Sequence, residues 1–320
     1  MRIKNFTSIA IALLLTTLVA FDGIAQSFYY QRVDRPHIIS GGIGASSLYG
    51  DMYRPSADRP MQIGPSASLA YLRRVNDRVY LRGELNYYHL KGDDKLASFE
   101  PRKEFDPESD RRGRNLSFRA NNFELSATAV IDLIPTYGYS YAVSRRTRKV
   151  KPTVNSYFRP SFTPYFFFGL GLTSNTPKAE LDGTYHSLRP LQTEGVQYGA
   201  VVLTFPTGFG LRVKVNYKND VGIEGGYRFT FSDYLDDVSN EYIDPNSFSD
   251  PVARALQDRS PEIGLTPKWV KIQNGSGVTL RRGNPTDNDG FFIVQVKWFH
   301  YLSKRDLQKF TQPRPRNTFR

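Results

Sequence analysis

Five acidic side chains, Asp233, Asp236, Asp237, Glu241 and Asp244, crowd one short stretch and offer enough hard oxygen ligands to hold a calcium ion. The stretch lacks the spaced ligand ladder and turn glycine of a known calcium loop, so ordinary loop salt bridging is the favoured reading. Asp287 and Asp289, just ahead of Gly290, read as a loop entering a strand. The histidines, His37, His89, His186 and His300, show none of the i, i+4 or short-gap spacings of a metal site. His89, beside Tyr88, is the one histidine placeable as a hydrolase base, and a structural or solvated role outweighs that one. The chain has no cysteine, which removes thiolate nucleophiles, zinc ribbons and disulfides. The expectation is a protein that is not an enzyme, with no catalytic residue, cofactor or metal.

Charge is arranged more tellingly along alternating segments. Val79, Leu81, Leu85 and Tyr87 oppose Tyr80, Arg82, Glu84, Asn86 and Tyr88, a period of two that belongs to a strand. The split recurs with Glu124 among Phe123, Leu125, Ala127, Ala129 and Ile131, and with Arg212 and Lys214 between Leu211, Val213 and Val215. Glu224 and Arg228 oppose Val221, Ile223, Tyr227 and Phe229, and Lys297 opposes Phe292, Val294, Val296 and Trp298. Weaker strands fall at about 38–47, 66–74 and 163–172, giving eight in all. The polar face thus carries Arg82, Glu84, Glu124, Arg212, Lys214, Glu224, Arg228 and Lys297. A soluble sandwich would turn these to water; in a narrow barrel they fill the lumen as ion pairs. Strands of about ten residues suit a membrane crossing better than a sandwich. The fold expected is all-β: a transmembrane, antiparallel, up-and-down barrel of about eight strands with long extracellular loops.

The N-terminus agrees. Arg2 and Lys4 precede an apolar run from Ile9 to Phe21, and Gly23, Ile24 and Ala25 end it on small residues, so residues 1–25 read as a signal peptide cleaved after Ala25. The run is too short and interrupted to be a comfortable membrane helix. Residues 26–302 are then the barrel and 303–320 a basic periplasmic tail, with the Gram-negative outer membrane as the location. Aromatic residues at 14% and 25 glycines suit twisted strands and turns.

Turn lengths divide the two ends. Val75, Asn76 and Asp77, and Lys218, Asn219 and Asp220, are tight-turn chemistry for the periplasmic side. The long connections, 49–65, 91–115, 174–196 and 233–289, should be extracellular, and the last could hide another hairpin. The link 135–158 breaks this pattern and carries Arg145, Arg146, Arg148, Lys149 and Lys151. The tail adds Lys304, Arg305, Lys309, Arg314, Arg316 and Arg320 to a chain of net charge +12. Solvated charge is the bland reading. The sharper one is docking to an acidic periplasmic partner through Arg145, Arg146, Arg148, Lys149, Lys151, Arg314 and Arg316; an exported protein meets little nucleic acid.

Five segments occur in a telling order: Gly42-Ile-Gly-Ala-Ser-Ser-Leu-Tyr-Gly-Asp51, Arg114-Asn-Leu-Ser-Phe-Arg119 with Phe123 and Glu124, Pro164-Tyr-Phe-Phe-Phe-Gly169, Phe231-Ser-Asp-Tyr-Leu-Asp-Asp-Val-Ser239, and Arg282-Gly-Asn-Pro-Thr-Asp-Asn-Asp289. The chain resembles the PorG-like outer-membrane barrels, a component of the type IX secretion and gliding machinery, over nearly its whole mature length. The family-motif loop is marked by Asp233, Tyr234, Asp236, Asp237 and Ser239. The resemblance implies an accessory barrel, set in outer-membrane lipid, that docks on a periplasmic ring of a lipoprotein and its partner, of PorK and PorN type. It implies no catalysis. The tail beyond the last strand departs from barrels that end on a strand-terminal aromatic. The alternative function is a stand-alone small pore or surface-adhesion barrel.

Overall fold

A computed structural model describes residues 35–53, 62–96, 111–134, 141–143, 150–152, 160–268, 281–303 and 306. Eight long strands form the wall: β1 (His37–Tyr49), β2 (Gly64–Arg74), β3 (Val79–Asp93), β4 (Ser117–Asp132), β7 (Phe162–Ser174), β10 (Val201–Lys214), β11 (Asn219–Thr230) and β12 (Gly290–Leu302). Each pairs antiparallel with the next, and β12 returns to β1, so the sheet closes without an edge. The remaining strands are short: β5 (Tyr141–Val143) pairs with β6 (Val150–Pro152), and β8 (Pro177–Leu181) with β9 (Thr184–Ser187).

The wall strands run from 11 to 16 residues. At about 3.4 Å per residue and a tilt near 40°, the shortest rises roughly 28 Å, enough for the ~25 Å apolar band of a membrane barrel. The longest, β3 and β4, overshoot it. Alternation puts one face of every wall strand outward, and on that face Ile43 is 73% exposed, Leu125 64% and Phe209 65%. Leu69, Leu85, Leu170, Ile223 and Val296 complete an apolar circuit that includes a residue from every wall strand. Water does not tolerate so continuous a belt and lipid does; the protein is an integral transmembrane barrel of the outer-membrane type.

Inside, the filling is layered. Near the short turns lie Ile38, Leu72, Tyr80, Val130, Tyr165, Phe299 and Tyr301, all buried together. At the other end a larger apolar cluster, including Leu48, Tyr88, Leu116, Leu235, Val238, Leu256 and Phe291, joins strand ends to the long connections. Charged residues occupy the space between.

Both tight turns are built by asparagine. The Asn76 side-chain oxygen accepts from the backbone N–H groups of Arg78 and Val79 at 3.0 and 2.8 Å, and Asn216 does the same for Lys218 and Asn219, both at 2.9 Å. The second turn therefore spans 215–218, and Asn219 and Asp220, expected in the turn, begin β11. The connection 174–196 contains the β8–β9 hairpin, which extends the upper part of β4. The described part of 233–289 holds instead a helix, Pro251–Gln257, and 3-10 turns. The atypical link contains β5 and β6; Arg145, Arg146, Arg148 and Lys149 lie outside the described residues, as do residues 1–25, Arg314 and Arg316.

Candidate functional site

The lumen is the first place where the predicted charges meet. Strands β3, β11 and β12 turn Arg82, Glu84, Glu224 and Lys297 inward, all at most 4% exposed. Lys297 Nζ lies 2.5 Å from Glu84 and 2.6 Å from Glu224. Arg82 donates to Glu224 at 2.5 Å and faces Glu84 at 3.2 Å, and the Tyr165 hydroxyl donates to Glu224 at 2.8 Å. Two cations and two carboxylates thus neutralise one another where water is excluded, the condition under which buried charge is tolerable. Gly42 makes room: a Cβ there would stand 2.7 Å from Lys297 Cγ. Toward the long loops, Arg228 faces Glu124 at 3.5 Å, and Thr204 donates to Glu124 at 2.8 Å. Toward the short turns, Arg212 binds Asp132, with Tyr301 donating to Asp220 at 2.6 Å. Lys214, at the last position of β10, is in register with buried Asp220 and lies half-buried at the barrel mouth. Asp132 and Tyr165 are additions.

The second assembly is a cap of long connections at the opposite mouth, and four of the five sequence segments converge there. Arg114 grips Asp94 with two bonds of 2.8 and 3.0 Å, and donates to the backbone carbonyls of Arg282 at 2.5 Å and Asp51 at 3.1 Å. Arg282 in turn holds Glu194 at 2.9 Å, the Asp237 carbonyl at 2.5 Å and the Gln257 carbonyl at 3.1 Å. Glu194 accepts from the backbone of Ser239 and Asn240 at 3.0 and 2.8 Å. Asp237, in the left-handed region at φ 68°, accepts from Thr193 at 2.5 Å and Tyr198 at 2.6 Å. The Tyr198 ring stacks on Tyr234 with centroids 4.9 Å apart. Two arginines therefore stitch the four long connections into one buried unit.

Around Gly50 lie further buried carboxylates. Asp236 accepts from the backbone of Met52 at 2.9 Å, Asp289 from Leu235 at 2.8 Å, and Asp51 from Asn284 at 2.6 Å. Asp233 points into the same region, and one Asp289 oxygen, like both of Asp233, is buried outside hydrogen-bond geometry. Burial pushes the Asp233 carboxyl up to about 8, with Asp51, Glu194 and Asp287 adding repulsion and the Ser239 hydroxyl opposing. Burial, with repulsion from Asp51 and Asp233, raises Asp236; burial, with repulsion from Asp236, Asp233 and Asp51, raises Asp289; and burial takes Asp237 up to about 6 against the pull of Arg282. Of these, Asp233 is the group whose raised value lies above neutral pH. Among the described residues no group of His, Asp or Glu is arranged to hold a metal ion. The acidic cluster expected from the sequence is thus regrouped: Asp244 caps the turn at Pro245–Ser247 and Glu241 pairs through its backbone with Arg281 as an isolated antiparallel β-bridge, while Asp51 and Asp289 join from distant segments.

Three of the four histidines sit on the barrel wall, and His186 lies in β9 of the short hairpin. His89 meets the Asn121 side chain at 2.7 Å, His37 the Tyr71 hydroxyl at 2.6 Å, and His300 the Asn219 side chain at 2.7 Å.

Among solved structures the chain is similar to Neisserial surface protein A, at 10% identity over 83% of this chain and 96% of that one, with a TM-score of 0.36. It is similar to the outer membrane protein OprG from Pseudomonas aeruginosa, at 9% identity over 86% and 99%, TM-score 0.36. A third is Ail, the attachment invasion locus protein of Yersinia pestis, at 11% over 84% and 99%, TM-score 0.33. No family model and no curated protein matches the chain. The fold stands on its own strand pairing and apolar belt.

Proposed function

We propose that this protein is a non-enzymatic, non-conducting outer-membrane barrel that works by binding other proteins at its two ends. We further propose that it serves as an accessory barrel of the type IX secretion and gliding machinery, docked on a periplasmic ring of PorK and PorN type proteins. The observation that carries the first reading is the filled lumen: Arg82, Glu84, Glu224 and Lys297 cross-link opposite walls between an aromatic layer and an apolar one. An eight-stranded barrel has width for side chains or a channel, not both. Support for the finer reading comes from the five segments and their family resemblance, and from the way Asp51, Arg114, Asp237 and Arg282 of four of them interlock in one cap. The docking charges are Arg145, Arg146, Arg148, Lys149, Lys151, Arg314 and Arg316; the backbone of Lys151 lies in β6.

A second reading, a stand-alone surface-adhesion barrel, is favoured by the ordered cap, which offers a defined outer surface. Extraction in mild detergent followed by pull-down separates the two. Periplasmic ring proteins are expected with the barrel and are expected to be lost from the variant carrying Arg145→Glu, Arg146→Glu and Arg148→Glu. Recovery of no ring protein favours the adhesion reading, and unchanged recovery by the variant removes this segment as the dock. Planar-bilayer recordings are expected to stay silent; open single channels would overturn the non-conducting barrel.

A further inference from the structure

Strand register sets three cations side by side on the outer wall at the long-loop end. Lys91 of β3 pairs with Arg119 of β4, and Arg119 pairs with Lys178 of β8. All three are exposed and on the outward face, and none has an ion-pair partner among the described residues. The Arg119 guanidinium is pinned over the Tyr185 ring, 3.0 Å from its centroid. The row borders a cleft of about 350 Å³. Two carboxylates also line the cleft: Asp93 accepts from the backbone N–H of Lys95 at 2.9 Å, and Glu180 accepts from the Tyr185 hydroxyl.

Depth is what gives the row a ligand. Going down the same two strands toward the membrane, the next outward pair is His89 with Asn121, then Tyr87 with Phe123, then Leu85 with Leu125. The Tyr87 and Phe123 rings, 5.4 Å apart, mark the interfacial girdle, and the leucines below them belong to the belt. Lys91 is four residues above Tyr87, about 13 Å along the strand and roughly 10 Å along the membrane normal. That is the level of the lipid headgroups, not of the acyl chains and not of open water.

We propose that Lys91, Arg119 and Lys178 form a binding site for the phosphates of an anionic glycolipid headgroup in the outer leaflet, whose acyl chains lie against Leu85 and Leu125. A row of cations one strand apart matches a headgroup carrying more than one phosphate, and the Tyr185 face keeps Arg119 from folding away. The proposal rests on the long loops facing outward and does not depend on ring docking.

The test uses the full-length protein in detergent, with native mass spectrometry reading bound lipid. Three probes are compared: diphosphorylated lipid A, the same lipid with its phosphates removed, and inorganic phosphate. At about fivefold per cation, replacing all three by Gln is expected to weaken binding of the phosphorylated lipid about a hundredfold. Lys91→Gln and Lys178→Gln alone, which leave the Arg119–Tyr185 contact intact, are expected to weaken it about fivefold each, so the reading survives a misfolded triple variant. Heat-modifiable gel mobility reports that the barrel is folded. Equal binding by the single and triple variants, equal binding of the dephosphorylated lipid, or binding of inorganic phosphate as tight as that of the lipid would each overturn the proposal.

Discussion

Replacing Lys297 by Met tests whether the lumen is held together as the geometry implies. Met keeps most of the stem that fits beside Gly42 and removes only the charge that bridges Glu84 at 2.5 Å and Glu224 at 2.6 Å. Two carboxylates then share Arg82 alone, leaving one uncompensated negative charge in a space where Glu84 is 1% and Glu224 4% exposed. Removing one partner of a buried pair costs about 3–5 kcal/mol. With a urea slope of roughly 2–3 kcal/mol per molar, the unfolding midpoint should fall by about 1–2.5 M. The double variant Lys297→Met with Glu84→Gln restores neutrality and keeps the Arg82–Glu224 pair, so it should regain at least half of the loss, a coupling of about 2 kcal/mol. Urea titration of the barrel in lipid vesicles, read by gel mobility and tryptophan fluorescence, measures both. A Lys297→Met midpoint equal to that of the parent, or a double variant less stable than the single, would refute the charge-balanced lumen.

The cap gives two further outcomes. Arg282→Ala removes the cation paired with buried Glu194, which keeps only its two backbone donors, and the donor to the Asp237 and Gln257 carbonyls, at a cost of about 3–5 kcal/mol. Limited proteolysis should cut the outer connections at least tenfold faster while barrel mobility on gels stays unchanged; joint loss of both would mean the cap and wall unfold as one. For pH, Asp233 at about 8 and Asp237 at about 6 stand above the ~4 of an unfolded carboxyl, so the folded cap binds protons that the unfolded cap releases. Their stabilisation is full below about pH 4 and is lost as pH rises through 6 and then 8. Protease protection of the cap should fall over that window, and Asp233→Asn should remove the alkaline part of the fall. Protection that rises with pH would contradict the buried, protonated carboxyls.

Strand number and facing were legible because a two-residue period needs only local sequence. A barrel wall sorts side chains between lipid and lumen at every step, and Arg82, Glu84, Glu224 and Lys297 all point as their neighbours require. The β8–β9 hairpin was not legible, since its short strands carry little alternation and lean on β4 for their pairing. The acidic stretch misled in a different way. Proximity along the chain gathered Glu241 and Asp244 with Asp233, whereas the folded connections discard those two and bring in Asp51 and Asp289.

What the sequence by itself determined is therefore the barrel, its polar interior and its apolar belt, because each follows from alternation within single strands. What only the tertiary structure decided is who meets whom. Arg82 and Glu224 are 142 residues apart, and Arg114 and the Arg282 carbonyl 168. No local pattern encodes those pairs; closing the sheet from β12 onto β1 and folding the long connections over its mouth creates them. The cation row at Lys91, Arg119 and Lys178 is of the same kind, three unremarkable charges that register alone turns into one surface.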